Sequence, residues 1–232
     1  MLVAEAYDEF FRSTKDLPQY ASDRLSRFFL DRFTGRREDL FVELSLDLPK
    51  IYAALASNFA NPAIGIRYVG GKRKFDLVFE GANSCVVADL QARDFYDLYD
   101  FDEEYKMLPE KIRSYYRVTE GFQIVTDPAA PAYVWKNLPL SLIRRVSVSE
   151  MATLPECSQE SIRRLPTDMN LVVWMYSDDG DVILVDENTS VVFHSRSAQI
   201  EDLFELREPE LTWDQYCSHM LSGGNSAEFS FR

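Results

Sequence analysis

Three short runs between residues 64 and 91 do most to limit the folds open to this chain. IGIRYVG (64–70), KFDLVFE (74–80) and CVVADLQ (85–91) alternate in polarity and are rich in β-branched and aromatic residues. Gly70-Gly71 and Gly81-Ala82-Asn83 separate them, and both glycine and asparagine tolerate the backbone of a tight turn. Strands joined by connections this short pair antiparallel, so the region predicts a three-stranded meander. Its tip, GGKRK, gathers Lys72, Arg73 and Lys74, which read as a solvated hairpin end. The G-x-x-x-x-G-K-[ST] pattern of a phosphate loop is absent.

Before this region the period is helical. Residues 5–15 and 18–33 place Tyr7, Phe10 and Phe11, then Leu25, Phe28, Phe29, Arg32 and Phe33, at helix spacings. Gly35 ends the second helix, and Arg36 to Asp39 make a polar connection. A third helix is expected from about Pro49 to Phe59, stopped by Asn61-Pro62, because proline disfavours helix in the residue before it.

After the meander, residues 94–107 read as an acidic, aromatic helix leading into LPEKIRSYYRVTEGF (108–122). In that second helix Pro109 suits the first turn, and Leu108, Ile112, Tyr115 and Tyr116 form one apolar face. FQIVT is a short strand and DPAAPAYVW a loop; residues 138–147 fit either strand or turn, and 149–166 are polar and partly helical. NLVVWMYS (170–177), DVILVDE (181–187) and SVVFHSR (190–196) predict further strands, turned at Asp178-Asp179-Gly180 and Glu187-Asn188-Thr189. A last helix is expected over Thr212–Leu221, with Thr212 as N-cap and Gln215 closing a capping box. Residues 223–232 read as a loose tail. The expected class is α+β: a mostly antiparallel sheet with helices packed on it, preceded by a helical and β-meander N-terminal part. The expected division is 1–94 and 95–222.

Composition narrows the function. With 232 residues, 46% of them hydrophobic, the chain can bury one large or two small cores. Charges interrupt every segment well short of the roughly 18 apolar residues of a membrane span, so no membrane role is expected. Cys85, Cys157 and Cys217 form no C-x-x-C pattern, and the odd count suits a reducing cytoplasm. Residues 1–95 hold 13 Lys/Arg against 14 Asp/Glu, whereas residues 96–232 hold 12 against 24. Acidity concentrated in this way repels nucleic acid and steers basic partners. Two acid clusters stand out as a partner-binding surface: Asp97, Asp100, Asp102, Glu103 and Glu104, with Tyr99 and Tyr105 among them, and Asp178, Asp179 and Asp181. Buried aromatics such as these tyrosines would anchor a partner, with the acids governing encounter.

Residues suited to catalysis do not gather. His194 lies within a strand and reads as structural; His219 and Cys217 are two apart on a helix and point to different sides. No G-x-S-x-G, H-E-x-x-H or zinc spacing occurs, and the acids fit no EF-hand. Trp135, Trp174 and Trp213 read as packing residues. Neither enzyme activity nor a cofactor or metal is expected.

The order acidic helix, LPEKIRSYYRVTEGF, strand, NLVVWMYSDDGDVILVDENTSVVFHS and the closing WDQYCSHML resembles the SMI1/KNR4 (SUKH) superfamily over roughly residues 95–221. Thr119-Glu120 stand where that family commonly has asparagine. The resemblance implies a non-catalytic protein-binding module: an immunity protein neutralising a basic toxin such as a nuclease, or a scaffold or regulatory protein of a eukaryotic or viral host. Residues 1–94 carry no such resemblance.

Overall fold

The computed structural model describes residues 3–25, 27–90, 106, 108–116, 122–125, 133–136, 144–151, 166, 168–176, 182–195, 204–225 and 228–231. The α+β class is observed: helices pack against two antiparallel sheets. The expected meander is present as β2 (Ala63–Val69), β3 (Lys72–Glu80) and β4 (Cys85–Leu90), turned at Gly70-Gly71.

The first sheet is wider than the meander. β1 (Glu9–Phe11) pairs with β2, β5 (Phe122–Val125) with β4, and β6 (Tyr133–Lys136) with β5. β1 corrects the helix expected over residues 5–15. Short 3-10 turns at Val3–Ala6 and Thr14–Asp16 flank it. The correction has a non-local cause: the β2 edge offers backbone partners to Glu9–Phe11, and Gly65 leaves room for the Tyr7 ring. β6 likewise replaces part of the loop expected over DPAAPAYVW.

The second sheet runs β11-β10-β9-β8-β7, with β7 Arg144–Ser147, β8 Asn170–Tyr176, β9 Val182–Asp186, β10 Val192–Ser195 and β11 Phe204–Glu205. Of the two readings open for residues 138–147, the strand is observed in the described part. At the β9–β10 turn the Asp186 carboxylate accepts the Asn188 N–H and the Thr189 hydroxyl, an Asx-type turn.

The helix expected over 18–33 is two pieces, α1 (Gln19–Ser22) and α2 (Arg27–Arg32). The polar connection after Gly35 coils into α3 (Arg37–Leu40) and α4 (Val42–Asp47). α5 (Pro49–Asn58) matches the third expected helix. α6 is Glu110–Tyr116, with Leu108 and Ile112 buried as the spacing required. α7 is the short Val148–Met151. α8 is Pro209–Leu221, one turn earlier than expected at its start. Thr212 is inside the helix, its N–H bonded to the Glu208 carbonyl, because Pro209 supplies a helical φ without needing an N–H partner.

Ile64, Ile66, Phe75, Leu77, Phe79, Val86, Ala88, Phe122 and Ile124 face the helices and join one core with Trp213, Tyr216 and Cys217 of α8 and with Ile183, Val185 and Val192 of the second sheet. Phe41, Phe79 and Phe122 meet at centroid distances of 5.7, 6.2 and 6.4 Å, so a helical linker, β3 and β5 share one aromatic contact. The expected boundary near residue 94 falls between β4 and β5, which are paired neighbours. A smaller cluster of Val3, Tyr7, Val78, Cys85, Val87 and Val125 covers the sheet's other face.

The tail is folded back, which corrects the expected loose end. Gly223 takes φ +83° to leave α8, and Phe231 is buried against His194 and Tyr216, with centroid distances of 3.5 and 4.9 Å. Apolar residues at 229 and 231 outweigh the tail's glycine and serine, because α8 and β10 offer an aromatic surface to receive them.

Candidate functional site

Three helices that begin at a proline bring their starts together. α5 begins at Leu48-Pro49, α6 follows Leu108-Pro109, and α8 begins at Glu208-Pro209. Two carboxylates on α8, one turn apart and therefore on one face, organise the meeting. Asp214 accepts the backbone N–H groups of Lys50 at 3.0 Å and Ile51 at 2.7 Å. Glu210 accepts the backbone N–H of Lys111 at 3.4 Å and pairs with its ammonium at 3.5 Å.

The far end of α8 is held as well. Asn58, at the end of α5, donates to the Leu221 carbonyl at 3.4 Å and the Ser222 hydroxyl at 3.3 Å. α5 and α8 therefore run parallel, with like helix poles adjacent. Asp214 sets a carboxylate at the positive pole of α5 and Glu210 sets one in the first turn of α8, which offsets that repulsion. Arg37 does the reverse at the α5 C-terminus, donating to the Leu55 and Phe59 carbonyls at 3.0 and 2.8 Å.

The three starts surround an open cleft of about 560 Å³. Pro49, Pro109 and Pro209 line it with Leu46 and Leu211, and Lys50, Lys111, Arg207, Asp47 and Glu208 stand around them. Leu46 and Leu211 are 80% and 41% exposed, large apolar side chains presented to solvent at the cleft. Asp214 forms part of the wall with its carboxyl raised by burial, an effect the two N–H bonds oppose. Burial, with Asp214 nearby, also pushes the Cys217 thiol up and away from the thiolate form.

Asp97, Tyr99, Asp100, Asp102, Glu103, Glu104, Tyr105, Asp178, Asp179 and Asp181 lie outside the described residues. His194 is buried between Phe204 and Phe231. His219 faces the Asn225 carbonyl and the Phe229 ring, whereas Cys217 points into the core. Trp213 is in the core as expected. Among the described residues, no group of His, Cys, Asp and Glu is arranged to hold a metal ion, and no helix is long and apolar enough to cross a membrane. Sequence reasoning missed the cleft, although the recurrence of proline at three helix starts, twice after leucine, was a usable signal.

No protein-family model, curated protein or solved structure matches this chain.

Proposed function

We propose that this protein is a non-catalytic protein-binding module of the SMI1/KNR4 type, an immunity protein that neutralises a basic toxin by direct contact in the cytoplasm. The observation that carries this reading is the uneven charge, 12 Lys/Arg against 24 Asp/Glu over residues 96–232. An acidic excess of this kind speeds encounter with a basic partner and imitates the phosphates a nuclease would bind. The cleft supports contact with protein in particular, because exposed leucines set among charges resemble the apolar centre and polar rim of an interface.

Capture from the native host identifies the partner, and charge reversal then tests the surface. Asp102, Glu103 and Glu104 changed together to Lys should slow association and flatten its dependence on salt, with dissociation changed less. An unchanged on-rate and salt slope removes that face from the reading. A partner that is not basic removes the toxin, and several partners captured together favour a scaffold instead.

A further inference from the structure

On the first sheet, away from the cleft, the β2–β3 hairpin holds an arginine in an aromatic frame. The Arg73 guanidinium carbon lies 4.0 Å from the ring centre of Tyr20 and 5.3 Å from that of Tyr68. Its Nε donates to the Tyr68 hydroxyl at 2.9 Å. Both phenols are anchored in turn, since the Tyr20 and Tyr68 hydroxyls donate to the same Glu9 carboxylate oxygen. Asp8 accepts the Tyr68 backbone N–H at 2.8 Å. Gly70 and Gly71, at φ +58° and +77°, close the hairpin in two residues, which fixes the pairing of Tyr68 with Arg73.

An arginine normally loses much side-chain freedom on binding a ligand, and here the frame has removed part of that freedom already. The rings flank the guanidinium and Tyr68 occupies Nε. The Nη groups make no hydrogen bond among the described residues, which leaves that edge to a ligand. Residues 68–74 are all exposed, with Tyr68 and Val69 at 48% and 58%.

We propose that this hairpin is an interaction surface for an acidic, carboxylate-bearing segment of a protein partner. Arg73 reads one carboxylate through its two Nη groups, because the planar fork of a guanidinium matches the paired oxygens of a carboxylate. Lys72 adds attraction, and Tyr68 and Val69 provide apolar contact. Nucleic acid fits less well: the chain carries a net charge of −13, and the Asp8 and Glu9 carboxylates flank the frame that a continuous phosphate backbone would have to cross. This surface lies in the charge-balanced part of the chain and does not depend on the toxin-binding reading.

Titration of the isotope-labelled full-length protein with a capped hexaglutamate peptide at low salt, followed through the arginine Nε–H resonances and, for every variant, the backbone amide resonances of the hairpin, tests the proposal. The Arg73 resonance should shift saturably. Arg73→Lys, which keeps the charge and loses the fork, should weaken binding by about fivefold or more. Tyr20→Ala, which leaves the charge unchanged, should weaken it comparably at an unaltered thermal midpoint; if the midpoint falls, Arg73→Lys decides alone. Equal binding by Arg73→Lys, absence of a saturable shift, or tighter binding of a single-stranded hexanucleotide than of the peptide would each overturn the proposal.

Discussion

The carboxylate of Asp214 accepts the backbone N–H of Ile51 at 2.7 Å, although the two residues are 163 positions apart in the chain. Capping groups usually come from the residue directly before a helix. Here that position is Leu48, whose side chain cannot accept a hydrogen bond, so the closing helix supplies the acceptor. The same carboxylate joins the first quarter of the chain to the last.

Asp214→Ala should therefore cost about 1–2 kcal/mol of unfolding free energy, the usual range for a lost cap. The pH dependence has a definite sign. Burial raises the Asp214 carboxyl in the folded state, so the folded protein binds more protons than the unfolded chain between the two values. Its contribution is complete below the unfolded carboxyl range and declines as pH rises through the folded value. In denaturant titrations the difference between wild type and Asp214→Ala should be larger near about pH 4 than near about pH 7. A difference that grows with pH would show the opposite linkage.

Gly65 is required by the ring above it. A Cβ at this position would enter the Tyr7 ring, which packs over the sheet beside Arg67, its guanidinium carbon 5.4 Å from the ring centre. Gly65→Ala should destabilise by about 1–3 kcal/mol through overpacking. In the Tyr7→Ala background the same change should cost much less, and thermal melts of the four proteins in this cycle measure the coupling.

The folded-back tail makes Phe231 a core residue. Phe231→Ala should lower stability by about 3 kcal/mol, since it empties the place between His194 and Tyr216. A substitution at a loose end would leave the melting midpoint unchanged.

A fragment covering residues 95–222 should not fold on its own. It would lack β4, which pairs with β5, and α5, whose backbone occupies Asp214. Expressed alone it should bind an apolar dye and melt without cooperativity, whereas a sharp transition would establish an independent domain.

The parts legible in sequence were those specified by neighbouring residues. β2, β3 and β4 follow from alternating polarity and the glycines between them, and β8, β9 and β10 from the same pattern. α5 follows from Pro49, its apolar spacing and the stop at Asn61-Pro62. Of the proposed partner surface, sequence identified the acids, whose charge is counted without coordinates, and not the cleft, whose walls come from Leu46, Pro109 and Leu211 in distant segments.

What the sequence by itself determined is therefore the α+β class, the two meanders and the charge imbalance, since period, turn chemistry and charge are local properties. Only the tertiary structure decided that Glu9–Phe11 form a strand and not a helix, because the spacing of Tyr7, Phe10 and Phe11 fits a helix until the β2 edge offers its backbone groups. It also decided that Phe231 is buried and that Asp214 caps α5. In each case the deciding partner is far away in the chain, and a hydrogen bond or an apolar contact takes effect only once folding has brought its two halves together.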